Sequence, residues 1–387
     1  MSGRSAAVDF RPRPTLNRPD FILMATILAL TVLGLIMIFS ASAPRLEAEG
    51  VSRARQLIRQ SVFVTAGLTL FAITSMVSVR TWRMLTPFIY GGVNLLLLAV
   101  LSPIGALRQG AQRWISLGLF DVQPSELAKP AVILALALLL TPVEENHMRW
   151  MRILKVGALV SLPAALIFMQ PDLGTMLVFG FVTVVMLFIA GTTVRQLVTL
   201  LVAALVVLAV GVELNLLEEY QVERLTGFLN PAQDTLDVNY NQDQSQIAIG
   251  SGGMFGRGLF EGTQTNLAFV PAQTTDFIFT ALAEQLGFVG GAIVLGLYGI
   301  LIWRLLAIAA TARDRFGQLL AAGVAAMLGF HVFVNVGMTV GLLPVTGLPL
   351  PFMSFGGSFY VSMAISVGIA HAVWIRRTKA PGEVHFL

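Results

Sequence analysis

Long apolar segments recur along the chain and constrain its fold more than any other feature. A helix that crosses a bilayer needs about 20 mostly apolar residues. Ten segments approach or reach this length, namely residues 21–40, 61–79, 84–101, 124–140, 153–169, 175–190, 197–212, 288–303, 319–340 and 360–375. Only 12% of the 387 residues are charged, against about 25% in soluble domains. We therefore predict an all-α integral membrane protein with ten transmembrane helices, forming a single polytopic domain over residues 1–387.

Composition excludes several other classes of protein. The apolar segments show no alternation with period two, which argues against a membrane β-barrel. The chain has no cysteine, so disulfides, thiolate catalysis and cysteine-based metal sites are excluded. The first segment, residues 21–40, is longer than the apolar core of a cleaved signal peptide. We interpret it as the first membrane span.

The distribution of charge predicts the orientation in the membrane. If both termini lie on one side, that side holds 16 of the 25 Lys and Arg residues, and the other side holds 15 of the 21 Asp and Glu residues. Because positive residues favour the cytoplasm, residues 1–20 and 376–387 are predicted to be cytoplasmic tails. Residues 213–276 then form a long extracytoplasmic loop, and loops of this length are usually functional or disordered.

Two polar motifs occur at the ends of predicted spans. Glu126 and Lys129 lie three residues apart at the start of the fourth span, so on a helix they share a face and can pair. Ionisable residues at membrane depth are functional candidates, although such a pair can also merely neutralise itself. Asp172 precedes the sixth span, where capping of the helix is at least as plausible as chemistry.

Asp276 lies where the long loop meets apolar sequence. The apolar residues that follow would partly desolvate its carboxylate and make it a better general base. The alternative is that Asp276 caps the helix that follows it, and the sequence does not decide between the two. Within the same loop, residues 250–258 are rich in glycine but lack the Lys-Ser/Thr of a phosphate-binding loop. They are interpreted as a flexible outer loop.

Residues 343–358, here called the proline segment, contain three prolines and a pair of glycines. This composition forbids a regular helix, so the backbone must find partners in protein or water. The segment is therefore a candidate lining of a cavity. His331 and Asn335, on the preceding span, are predicted to form hydrogen bonds between helices.

Read in order, the polar motifs resemble the SEDS family of cell-wall polymerases, whose members are called RodA and FtsW. The matching stretches are residues 59–60, 110–114, 123–126, 170–175, 250–259, 275–279 and 343–358. Residues 258–264 look more like RodA, the elongation member, than FtsW. Each match is weak alone, but the ordered set is specific.

The resemblance implies a peptidoglycan glycosyltransferase on the outer face of the bacterial cytoplasmic membrane. It would polymerise lipid II into glycan strands with inversion, for cell elongation and shape. The implied partners are a class B penicillin-binding protein, lipid II, the nascent glycan and membrane lipids, with no nucleic acid. A lipid II flippase and a non-catalytic scaffold of the wall-synthesis complex are the alternatives.

The resemblance also implies roles for particular residues. The essential acidic residue of the family corresponds to Asp276, which is the predicted catalytic residue. The predicted substrate-binding residues are Arg59, Arg113, Glu126, Lys129, Asp172, Thr275 and Ser354. A divalent cation, Mg or Mn, is a possible aid in neutralising the diphosphate of the donor. The chain departs from the family at Thr275, where His is common, and at Gln285, where a second Glu is common.

The predicted topology can be tested directly, because the chain has no native cysteine. A Tyr240→Cys variant should react with a membrane-impermeant maleimide added to the extracytoplasmic side of intact cells. Labelling of this cysteine only from the cytoplasmic side would contradict the topology.

Overall fold

The structure is a computed structural model that describes residues 18–108, 111–116, 118, 120–142, 149–213, 240–267, 269–270 and 272–377. The predicted tails therefore lie largely outside the described residues, as do residues 214–239 of the predicted long loop. Residues 109–110, in one of the matching motifs, also lie outside them.

The described part of the chain is mostly helical, as predicted. Its helices are α1 (Phe21–Ala48), α2 (Arg55–Met76), α3 (Val79–Val100), α4 (Pro124–Leu140), α5 (Trp150–Phe168), α6 (Leu173–Ile189), α7 (Val194–Glu213), α8 (Tyr240–Gly252), α9 (Thr263–Asn266), α10 (Ile278–Ala310), α11 (Arg315–Thr339) and α12 (Gly357–Ile375). Within the described residues, eight of them are long and apolar enough to cross a membrane: α1, α2, α3, α5, α7, α10, α11 and α12. The helices α4 and α6, each of 17 residues, coincide with the other two predicted spans. The count of ten crossings stays a prediction.

A small sheet occupies the region between α3 and α4, where the sequence predicted only a loop. The strands are β1 (Gly105–Arg108), β2 (Ala111–Ser116) and β3 (Asp121–Val122), all antiparallel in the order β1-β2-β3. Hydrogen bonds between the strands give partners to backbone N–H and C=O groups that would otherwise need water. The prediction of an all-α chain is therefore wrong for this region.

The helix α10 begins earlier than the predicted span at residues 288–303 and contains a break. Gly287 has φ 68° and ψ −166°, outside the helical region. A Cβ atom at this position would lie 2.3 Å from the backbone nitrogen of Gly256, so only glycine fits there. The residues before the break, 278–285, are all buried. The chain thus enters the protein interior before the long apolar stretch starts.

The core centres on α11, which packs against α10, α6 and α4. The neighbouring α12 packs mainly against α2 and also against α4 and α11. Most residues of α4, α11 and α12 are buried within the protein, whereas α7 exposes most of its described side chains. The buried helices α4 and α11 carry four polar side chains that are discussed below: Glu126, Lys129, His331 and Asn335.

Residues near both chain termini meet at one end of the bundle. The Asp20 carboxylate accepts two hydrogen bonds from the Arg304 guanidinium, at 3.0 and 2.8 Å. The backbone nitrogen of Asp20 donates to Nε2 of His371 at 3.0 Å, and Nε1 of Trp374 donates to the carbonyl of Arg18 at 3.1 Å. The two ends of the described chain thus lie at the same end of the bundle.

Candidate active site around the proline segment

The proline segment is irregular, as predicted, and bonds to the residues that precede Asp276. Ser354 is buried, and its hydroxyl donates to the carbonyl of Thr275 and accepts from the nitrogen of Leu350 at 2.8 Å. The nitrogen of Phe355 donates to the carbonyl of Thr274 at 2.7 Å. Two stretches far apart in sequence are therefore joined. The hydroxyl of Ser354 serves this junction, and its predicted role in substrate binding stays a prediction.

Gln60 on α2 supports the end of the same segment, and sequence reasoning assigned it no role. Its Nε2 lies 3.4 Å from the carbonyl of Ser354, and its Oε1 accepts from the nitrogen of Gly356 at 3.1 Å. The available signal was its place in the matching stretch at residues 59–60. The neighbouring Arg59 is exposed, with its guanidinium carbon 6.0 Å from the centre of the Phe63 ring. Arg59 thus lies beside Gln60, at the same end of α2.

Two buried side chains of α11 bind main-chain carbonyls at the site. Nδ2 of Asn335 donates to the carbonyls of Asp276 and Leu348, both at 2.7 Å. Nδ1 of His331 lies 3.1 Å from the carbonyl of Pro349. The prediction of hydrogen bonds between helices is therefore wrong, because the acceptors belong to non-helical segments.

Asp276 lies between α10 and the proline segment and is partly exposed. Its Oδ2 is 3.5 Å from the position that a Cβ atom on Gly347 would occupy. The residue at the N-cap of α10 is Phe277, whose own side chain makes no capping hydrogen bond. Asp276 therefore lies one residue before the N-cap position rather than at it. Thr275, beside it, donates its hydroxyl locally to the carbonyl of Ala272 at 3.1 Å, and its role in substrate binding stays a prediction.

The predicted pairing of Glu126 with Lys129 is present. Nζ of Lys129 lies 2.9 and 2.8 Å from the two carboxylate oxygens of Glu126, and the two residues are only 1% and 5% exposed. Nζ also lies 5.4 Å from the centre of the Phe359 ring, a favourable cation–π arrangement. The pair is thus internally compensated, and its predicted contact with substrate stays a prediction.

Asp172 caps α6, one of the two roles that the sequence allowed. Its carboxylate accepts from the nitrogen and the hydroxyl of Thr175, at 3.1 and 2.9 Å. It also accepts from the hydroxyl of Ser125 at 3.1 Å, which ties α6 to the start of α4. A Cβ atom on Gly174 would lie 3.1 Å from the carbonyl of Thr346. The cap therefore sits against the proline segment, while substrate binding by Asp172 stays a prediction.

Arg113 of β2 fixes the turn that precedes this cap. Its Nε donates to the carbonyl of Gln170 at 2.7 Å, and a second guanidinium nitrogen donates to the carbonyl of Pro171. Arg113 therefore lies close to Asp172, and part of its donor capacity is used within the protein. The structure brings the predicted residues to one end of the bundle. Contact of Arg59 and Arg113 with substrate stays a prediction.

Residues 250–258 form an ordered clasp, so the prediction of a flexible outer loop is wrong. The nitrogens of Arg257 and Gly258 donate to the carbonyls of Glu284 and Gln285, at 3.0 and 3.1 Å. The nitrogen of Phe288 in turn donates to the carbonyl of Gly253 at 2.9 Å. The glycines allow this close pairing at the break in α10.

Glu284 and Gln285 organise the residues that follow the clasp. The Glu284 carboxylate accepts from the nitrogens of Gln264 and Thr265, at 2.7 and 2.9 Å. Oε1 of Gln285 accepts from Ser40 at 2.7 Å. Gln285, a departure from the family pattern, therefore makes a tertiary contact of its own with α1.

Among the described residues, no three His, Cys, Asp or Glu side chains are grouped so that they could hold a metal ion. The donor set of this site is made of amides, hydroxyls and the carboxylates of Glu126, Asp172 and Asp276, the first two already engaged by Lys129 and by Ser125 and Thr175. It does not fit a metal bound by the protein alone.

Comparison with known proteins gives a consistent result. A family model for FtsW, RodA and SpoVE, described as "Cell cycle protein", matches residues 21–379. The stage V sporulation protein E of Bacillus subtilis is 37% identical over 91% of this chain and 95% of its own length. The peptidoglycan glycosyltransferase MrdB of Escherichia coli is 37% identical over 92% of this chain and 94% of its own. The peptidoglycan glycosyltransferase RodA of Treponema pallidum is 35% identical over 92% and 98%.

Solved structures show the same fold. One is a chain from work titled "Structural coordination of polymerization and crosslinking by a peptidoglycan synthase complex". It has a TM-score of 0.78 and 33% identity, covering 92% of this chain and 97% of that one. The rod-shape-determining protein RodA of Thermus thermophilus has a TM-score of 0.69 and 31% identity, covering 94% and 98%. This chain is thus a multi-pass membrane protein of a known architecture.

The buried ion pair of α4 generates a prediction about stability. Lys129→Met should lower the free energy of unfolding by about 3–5 kcal/mol, because it leaves the Glu126 carboxylate buried without its partner. The double variant Glu126→Gln/Lys129→Met removes both charges and should recover most of that loss. Thermal unfolding of the purified protein in detergent measures both effects. A Lys129→Met protein as stable as the wild type would contradict this account.

Proposed function

Because the chain belongs to the FtsW/RodA/SpoVE family, we propose that it is a peptidoglycan glycosyltransferase that polymerises lipid II into glycan strands. Relatives of similar length bear the name peptidoglycan glycosyltransferase. The observation that carries the proposal is the placement of Asp276, whose partly exposed carboxylate faces Gly347 of the proline segment. The other predicted site carboxylates are more buried and already engaged, since Asp172 caps α6 and Glu126 pairs with Lys129.

In the proposed reaction, Asp276 acts as the general base. The acceptor sugar hydroxyl attacks the anomeric carbon of the donor, and the carboxylate of Asp276 takes the hydroxyl proton. A bond forms between the acceptor oxygen and that carbon as the bond to the polyprenyl diphosphate breaks. A single carboxylate with this role favours direct displacement with inversion.

The leaving diphosphate gathers negative charge, which nearby cations would stabilise. Arg59 is exposed and is the most accessible of the predicted cations. Lys129 is buried against Glu126, so it is not proposed to contact the diphosphate. Its proposed effect is indirect, through the electrostatic field of the ion pair and through its influence on where α4 lies. A divalent cation, Mg or Mn, would in this proposal arrive bound to the diphosphate.

The proposed orientation places this site on the outer face of the bacterial cytoplasmic membrane. Ten crossings by one membrane domain, with both termini cytoplasmic, are supported by the charge distribution and by the contact between Arg18 and Trp374 at the opposite end of the bundle. Residues 213–276 then lie outside, where lipid II is consumed.

The proposed partner is a class B penicillin-binding protein that cross-links the new strands. Support comes from the similarity to a chain of a peptidoglycan synthase complex in which polymerisation and crosslinking are coordinated. The proposed role in elongation and cell shape is supported by residues 258–264, which resemble RodA. Lipid II, the growing glycan and membrane lipids are the other proposed partners, with no role for nucleic acid.

Asp276→Asn tests the proposed function. The substitution keeps the size of the side chain and removes its basicity, so polymerisation should fall by about 10²–10⁴-fold. The measurement is glycan-strand formation from purified lipid II by the chain in complex with a class B partner. The matched control is Asp243→Asn, which removes an exposed carboxylate on α8 and should leave the rate unchanged.

The same assay distinguishes the alternatives. A flippase would move lipid II across proteoliposomes without forming polymer, and a scaffold would do neither. Wild-type protein that forms no polymer would refute the proposed function. A fully active, folded Asp276→Asn protein would refute the role of Asp276 as the base.

A further inference from the structure

The side-chain amide of Asn335 joins two segments that meet at the site. Its Nδ2 donates to the carbonyl of Asp276 and to the carbonyl of Leu348, each at 2.7 Å. Both partners are carbonyl oxygens, which only accept hydrogen bonds, so the nitrogen of the amide must face them. One side chain therefore binds both the residue that carries the carboxylate and the proline segment opposite it.

His331 lies one turn earlier on the same face of α11 and binds the same segment. Its Nδ1 is 3.1 Å from the carbonyl of Pro349, so Nδ1 must carry the proton in order to donate. The ring packs against Phe359, with 5.1 Å between ring centres. Together, the two side chains hold consecutive carbonyls of the proline segment on α11.

Asn335 and His331 are buried polar side chains that each leave one polar atom without a hydrogen-bond partner in the described part of the chain. Both are fully buried, and within the described part of the chain Oδ1 of Asn335 and Nε2 of His331 have no hydrogen-bond partner. A buried polar atom without a partner costs about 1–3 kcal/mol. An apolar residue would avoid that cost but would leave the carbonyls of Asp276 and Leu348 without this donor, so the amide at position 335 serves those two carbonyls and not packing alone.

We propose that Asn335 is a positioning residue for Asp276. By binding the carbonyls of Asp276 and Leu348 together, it sets the direction of the Asp276 carboxylate relative to Gly347, the residue before Leu348. The inference rests on the proposed function, in which this carboxylate takes a proton from the acceptor. A shift of about 1 Å in a catalytic group can cost about 100-fold in rate, so a displaced main chain would slow the reaction without removing the base.

The first test is Asn335→Leu, which has a similar volume and lacks both donors. Its kcat for lipid II polymerisation, measured in complex with a class B partner, should fall by about 10–100-fold. Its KM for lipid II should change by less than about twofold, because the amide acts on the reacting group rather than on binding.

The control is Thr339→Val on the same helix. The Thr339 side chain is buried, and its hydroxyl donates within α11 to the carbonyl of Val336. Its kcat should be unchanged.

A second measurement separates positioning from a purely structural role. In an Asp276→Asn background the base is already absent, so Asn335→Leu should cause no further loss of rate. A structural role predicts the same fractional loss in both backgrounds. If the Leu variant does not fold, Asn335→Ala is judged by the same two criteria.

The possible failures are distinguishable. No polymer from the wild-type complex would refute the proposed function. Polymerisation by the wild type, with unchanged kcat in a folded Asn335→Leu protein, would overturn only the positioning role. Equal further loss in the Asp276→Asn background would also overturn it.

Discussion

The structure depends on how the backbone of the proline segment is satisfied inside a membrane protein. Non-helical backbone at membrane depth is tolerated only where protein or water supplies hydrogen bonds. Here Gln60 of α2 and His331 and Asn335 of α11 supply them, and Ser354 closes the segment onto the residues before Asp276. The irregular segment is thus held from two sides, by Gln60 of α2 and by the buried helix α11, and this fixes the geometry of the site.

The charged side chains around the proline segment differ in their exposure to solvent. The buried charges are compensated, since Glu126 pairs with Lys129 and Asp172 caps α6 while accepting from Ser125. Asp276 is only partly buried. Buried charges without partners cost several kcal/mol, so compensation keeps the interior stable. The partly exposed carboxylate of Asp276, beside Gly347, is the one proposed to do chemistry.

Local spacing predicted the local features of the molecule. The positions of the apolar helices, the pairing of Glu126 with Lys129 and the cap by Asp172 each depend on a few adjacent residues. The irregularity of the proline segment followed from proline chemistry alone.

Features that depend on contacts between distant residues were not predicted. The early start of α10 and the clasp of residues 250–258 on the break at Gly287 need partners far along the chain. The carbonyl partners of Asn335 lie 59 and 13 residues away, and no periodicity encodes them.

The most direct measurement is a cryo-EM structure of the Asp276→Asn chain with its class B partner and lipid II. Our account predicts the side chain at position 276 within about 3.2 Å of the acceptor hydroxyl. An acceptor hydroxyl bound instead by another carboxylate, with position 276 turned away from it, would contradict the account.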